Sequence, residues 1–181
     1  MPLGAGAVQL SLAGGQADRG ADAVGAMIKE PHYGDSLFHF YQEHYFSSVT
    51  SLMVSQHFER VTLHADEAEI LRGGLLLSYG LHREAGDIFA QLIEKGAAPP
   101  VRDRAWFYLA KIRYQRGFLA EAGEAMARIE KNLPAELEEE RVLLQANLLM
   151  AREEYADAAK VLGRIAKTSG AAAYVRFNLG V

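Results

Sequence analysis

The chain has no cysteine, which excludes disulfides, thiolate metal sites and cysteine nucleophiles together. Cytoplasm and periplasm remain equally compatible with that composition. A basic excess is also missing. Lys and Arg number 19 against 23 Asp and Glu, for a formal net charge of −4. Phosphate backbones are held by net basic surfaces, so nucleic-acid binding is not expected as the main task. No stretch approaches the ~18 uncharged apolar residues of a membrane-spanning helix, so no membrane insertion is expected. From Asp35 onward the strand formers Val, Ile and Thr are sparse, which argues against a β or α/β fold.

Aromatic residues are few in the first 29 positions, where Gly and Ala dominate. This stretch has no basic start, and Gly interrupts its apolar run, so it does not read as a secretory signal. It reads as a flexible leader with a weak helix around Ala21–Ile28; a signal remnant is the alternative.

What the sequence does contain is helix formers in quantity. Ala, Leu, Glu and Arg dominate after Asp35, and apolar residues recur at three and four, the helical period. The expected fold is all-α. Three segments then resemble one another: "YGLHREAGDIFAQLIEKGAAPP", "QRGFLAEAGEAMARIEKNLPAE" and "AREEYADAAKVLGRI". Superposing them aligns Ala85, Ala122 and Ala158, at spacings of 37 and 36. Gly80, Gly117 and Glu153 stand five residues earlier, and Phe89, Met126 and Leu162 four residues later. A small residue followed one turn on by a large one lets two helices approach while the large side chain fills the gap. Upstream, Gly73, Ala110 and Ala146 form a second small-residue series at the same spacings, on the partner helices. A more degenerate copy fits "LFHFYQEHYFSSVTSLMVSQ", with Val49 in the small position and Met53 in the large one. Recurrence at this period is the signature of a solenoid.

Trp106-x2-Leu109-Ala110, followed by Ala122-x3-Met126 and Pro134, resembles the tetratricopeptide repeat pattern, although the pattern's first-helix Tyr is displaced: Arg113 takes its place and Tyr114 follows. Sel-like repeats have a similar period, but their Gly-rich turn signature is not visible. The resemblance implies a right-handed α-solenoid of antiparallel hairpins. Its units would span about 30–65, 66–102, 103–138 and 139–172, with a truncated unit at 173–181. "AAAYVRFNLGV" then reads as the opening of a further first helix without a polar cap, as in a fragment of a longer repeat protein. The pattern is similar to that of bacterial tetratricopeptide proteins of the cell envelope, while the residues themselves leave the compartment open.

Chemistry-bearing patterns are weak by comparison. Six histidines are present, but His39 and His44 are five apart and no HExxH occurs, so they read as surface or groove residues rather than a metal site. "LRGGLLLSYG" lacks the Lys-Ser/Thr ending of a phosphate loop. Gly73 fits the packing position there, and Gly74 reads as a point of close approach to a neighbour or ligand. The run "ELEEER" at 136–141 suits a helix start, where carboxylates favour the dipole and stay solvated. No GxSxG, SxxK or triad order appears. The expectation is a non-enzyme without cofactor or metal.

In tetratricopeptide proteins the first helices line a concave groove. The resemblance therefore implies that Arg104, Phe107, Lys111, Tyr114 and Gln115 face a partner, apart from the packing stripe Trp106-Leu109-Ala110-Arg113. Neighbouring units would add Tyr41, Gln42, Leu77, Ser78, Leu143 and Asn147. Such a groove would suit a protein or peptide segment, with its cations selecting acidic groups. Asn147 falls at a place compatible with the family's carboxylate clamp, but Phe107, Tyr108 and Leu144 fill places that the clamp needs polar. The alternative function is that of a helical arm of a longer enzyme or envelope or secretion assembly whose chemistry lies outside this chain. Self-association through uncapped ends is a third reading.

Overall fold

A computed structural model describes residues 29–165. The leader up to Ile28, its weak helix, residues 166–172 and the truncated unit at 173–181 lie outside the described residues. The described chain is all-α, with eight helices and no strand. They are α1 (Pro31–Tyr41), α2 (Tyr45–His57), α3 (Ala65–Ser78), α4 (His82–Glu94), α5 (Pro99–Gln115), α6 (Leu119–Ala127), α7 (Ala135–Ala151) and α8 (Tyr155–Ile165). Two compact units divide between Ala85 and Gly86, within α4.

Four three-residue links of one design join α1 to α2, α3 to α4, α5 to α6 and α7 to α8. The middle residue of each is left-handed: Glu43 (φ 61°), Gly80 (φ 77°), Gly117 (φ 82°) and Glu153 (φ 64°). The next residue's N–H reaches back to the last turn of the preceding helix. These bonds are His44 to His39 O, Leu81 to Leu76 O, Phe118 to Arg113 O and Glu154 to Leu149 O, at 2.8 to 3.0 Å. This is the Schellman cap, which satisfies carbonyls the helix leaves orphaned and requires a positive φ that glycine adopts without strain.

The links fix the repeat register, and the register corrects one expectation. Counting five residues on from each left-handed residue gives Ser48, Ala85, Ala122 and Ala158, all buried. The matching first-helix positions are Ser36, Gly73, Ala110 and Ala146, also all buried. The degenerate copy is therefore built on Ser48 and Leu52, one residue before the expected Val49 and Met53. Leu52 is fully buried, whereas Met53 is 47% exposed. Alanine alignment misses this because serine occupies both small positions. Ser48 Oγ donates to Ser36 O across the helix pair at 2.8 Å, so a polar contact stands where the other hairpins have bare methyl groups or hydrogen. Satisfying the hydroxyl keeps its burial from being costly.

In the first unit, α1 packs on α2 and α2 on α3. Tyr33, Leu52, Val61 and Ala68 form its core, with Leu37 and Leu71 against it. Glu30, at the N-cap of α1, ties down the connection from α2 to α3. Its carboxylate accepts from the N–H groups of Thr62 (2.7 Å), Leu63 (2.8 Å) and His64 (3.1 Å), and from the Thr62 hydroxyl (2.9 Å). Burial by itself would raise the pKa of this group. The bonds from Leu63, Thr62 and His64 outweigh it and hold the carboxyl at about 2.

In the second unit, α5 packs on α6 and α7, α6 on α7, and α7 on α8. Helix α5 begins at Pro99, and Pro99 and Pro100 sit in its first turn, where their missing N–H groups have no intrahelical partner to lose. The helix is enclosed on several sides: Val101, Asp103, Ala105 and the whole run Phe107–Ile112 are buried. Phe89 of α4 stacks on Tyr108 with centroids 4.9 Å apart. Asp103 is fully buried and accepts from the backbone N–H (3.0 Å) and side-chain amide (3.2 Å) of Asn132, docking the irregular stretch after α6. Each unit thus uses a buried carboxylate at the start of a first helix to hold the chain leaving a second helix.

Candidate functional site

The faces of α5 and α7 that meet carry a largely buried ion pair. Lys111 of α5 donates from Nζ to Glu140 Oε2 of α7 at 2.6 Å. The same ammonium lies 5.6 Å from the centroid of the Phe107 ring. Lys111 is only 6% exposed and Phe107 is fully buried. Two residues expected on an open groove are therefore interior. The stripe Arg104–Phe107–Lys111 does share one helix face, but that face is covered by packing. Periodicity reports which residues share a face; it does not report which face stays open. The expected packing stripe is correspondingly mixed: Ala110 and Leu109 are buried, and Trp106 and Arg113 half-buried.

Glu140 was legible only as one carboxylate of an acidic helix start. The link register makes Asn147 the α7 counterpart of Lys111. Glu140 precedes Asn147 by seven residues, two helical turns along the same face. That relation is the signal in the sequence that points to it. Beside the pair, burial pushes the Tyr108 phenol up to about 12. The Glu140 charge adds to this and the Arg104 charge opposes it. Tyr108 therefore stays a neutral hydrogen-bonding group across the ordinary pH range.

The other candidates separate by environment. On α5, Arg104 and Tyr114 are half-buried and Gln115 is exposed; on α7, Asn147 is half-buried. Leu143 packs with Val142 and Val161 against Ala146 and Leu162, inside the α7/α8 pair. In the first unit, Tyr41 and Gln42 are exposed at the end of α1. Leu77 is buried near the end of α3, and exposed Ser78 turns its hydroxyl onto Leu75 O at 2.6 Å. An added Cβ at Gly74 would meet no atom within 4 Å, so a close approach does not account for this glycine. The rings of His39 and His44 lie 6.3 Å apart, and among the described residues no three His, Asp or Glu side chains converge as a metal set would. No described helix is long and apolar enough to cross a membrane.

Compared with family models, curated proteins and solved structures, the chain matches none.

Proposed function

We propose that the protein is a non-catalytic binding scaffold, a stack of helical hairpins of tetratricopeptide type that holds a peptide or protein segment along its first helices. One observation carries the reading. The same buried small-residue pair and the same left-handed link recur four times at 36 to 37 residues. Repetition of a supersecondary unit builds extended binding surfaces out of first helices, and the resemblance of "RAWFYLAKIRYQR" to a tetratricopeptide first helix supports the same assignment.

In the second unit the contact surface is the polar end of the α5/α7 face, formed by Tyr114, Gln115 and Asn147 next to the Lys111–Glu140 pair. Glu140 already matches the Lys111 charge. An acidic segment gains from Lys111 only by displacing that carboxylate, so amide and phenol contacts set the affinity. Affinity capture with the full chain, followed by mass spectrometry, tests this reading. Gln115→Arg and Asn147→Arg are expected to lose the captured partner while keeping the helical circular dichroism of the parent. An unchanged partner set for both variants rejects the surface.

A further inference from the structure

The repeat register makes the outer faces of the second helices comparable. Ser47 and Thr50 of α2 correspond to Glu84 and Asp87 of α4, Glu121 and Glu124 of α6, and Asp157 and Lys160 of α8. All of these residues are exposed, and those of α4, α6 and α8 are all charged. Helix α2 is uncharged at both places and is flanked there by apolar side chains. Phe46 is 72% exposed, Met53 47%, Val54 48% and Phe58, its C-cap, 59%. The titratable group on this face is the exposed imidazole of His57. The opposite face, with Ser48, Val49, Leu52 and Ser55, serves the core, so the outer face is not needed to close the hairpin. Phe46, Thr50, Met53 and His57 follow one another at four, three and four residues, the seam spacing of one helix packed along another.

We propose that this face docks a second copy of the chain, α2 against α2 in antiparallel two-fold contact. Turned end for end, the stripe falls on itself: Phe46 lies opposite the copy's His57, and Thr50 opposite its Met53, a small residue against a large one. A two-fold contact brings a surface onto its own kind, which like charges oppose. The positions that are charged in the other three hairpins are neutral here. A foreign helix would be selected by charges beside the seam, whereas Ser47 and Val54 stand there. The area is sufficient for a reversible dimer. The four apolar residues offer roughly 400 Å² per copy, at about 200 Å² for a fully exposed aromatic residue and somewhat less for Met or Val. Two copies bring together about 800 Å² of apolar surface, against about 1,000 Å² of apolar area in a standard homodimer interface.

Sedimentation equilibrium of the full chain, from micromolar to millimolar concentration, tests this. The expected result is a monomer–dimer equilibrium, weakened at least tenfold in Thr50→Lys and in Met53→Glu. Both side chains are exposed, so both variants should keep the circular dichroism of the parent. Combined in one chain, the two substitutions should restore association at least threefold over either single variant, because antiparallel contact sets each Lys against a Glu. A monomer at every concentration, as a face covered by residues 1–28 or reserved for a foreign partner would give, overturns the proposal. A dimer that neither single variant weakens also overturns it, and a double variant no stronger than the singles overturns the antiparallel pairing.

Discussion

The α1/α2 hairpin and the α5/α6 hairpin share a link, a register and a period, yet they are stabilised differently. The first places Ser36 and Ser48 where the second has Ala110 and Ala122. It is anchored by one carboxylate that gathers four donors, and it leaves aromatic rings in solvent. In the second, the first helix is enclosed, and an ammonium, a carboxylate and two aromatic rings lie inside the packing. A repeat backbone specifies where a small residue must stand. It does not specify whether the surrounding faces are sealed or open. The same geometry thus leaves rings in solvent in one hairpin and builds a packed interior in another.

Substitutions in both hairpins test this contrast. The largest effect is expected at the enclosed helix and at the corrected register position. Phe107→Ala and Leu52→Ala should each cost about 3 kcal/mol in urea unfolding, while Met53→Ala should cost under ~1 kcal/mol. If Met53→Ala proved as costly as Leu52→Ala, the Ser48 register would be wrong. Next comes the pair beneath the α5/α7 face. Glu140→Ala strands a buried ammonium and should cost about 3 kcal/mol, whereas Lys111→Met with Glu140→Leu should come close to neutral. Equal losses in the single and double variants would mean that the pair contributes through packing alone.

The Glu30 carboxylate supplies a pH-dependent test in the first hairpin. Its folded pKa of about 2 lies below the ordinary 4.5. The folded state therefore favours the ionised form, and the stabilisation is fully present above pH 4.5. It is lost as pH falls from 4.5 toward 2. Glu30→Gln should be less stable than the parent at pH 7, with the gap closing toward pH 2 in parallel urea titrations. A gap independent of pH would remove the carboxylate from its anchoring role. Smaller effects belong to the links. Gly80→Ala and Gly117→Ala should lose about 1 kcal/mol, and Glu43→Gly and Glu153→Gly should gain up to ~1 kcal/mol, because all four residues are left-handed. Thermal melts that moved all four variants in the same direction would contradict the shared link. The smallest change is expected for Ser48→Ala, at most ~1 kcal/mol, since Ser36 O stays within its own helix ladder.

Much of this architecture was readable in the chain. Ala85, Ala122 and Ala158 recur because close helix approach admits only small side chains, and glycine marks the links because a positive φ favours it. Where another residue type meets the same need, the signal fades. Serine replaces alanine at positions 36 and 48, and glutamate replaces glycine at 43 and 153, which is why the first copy was read one residue late. The candidate surface was less legible. The spacing of Arg104, Phe107 and Lys111 correctly indicated a common face, but whether a face is open depends on the helices around it.

The all-helical class, the period of 36 to 37 residues and, in three of the four hairpins, the places where the paired helices come together follow from the chain alone. They rest on local physics: propensity, capping and the size of one side chain per turn. Which rings lie in solvent and which charge meets which was decided by tertiary packing. Lys111 and Glu140 stand 29 residues apart, and Glu30 and His64 stand 34 apart. Such partners come together only after helices have packed, and burial then sets both their strength and their availability to a ligand.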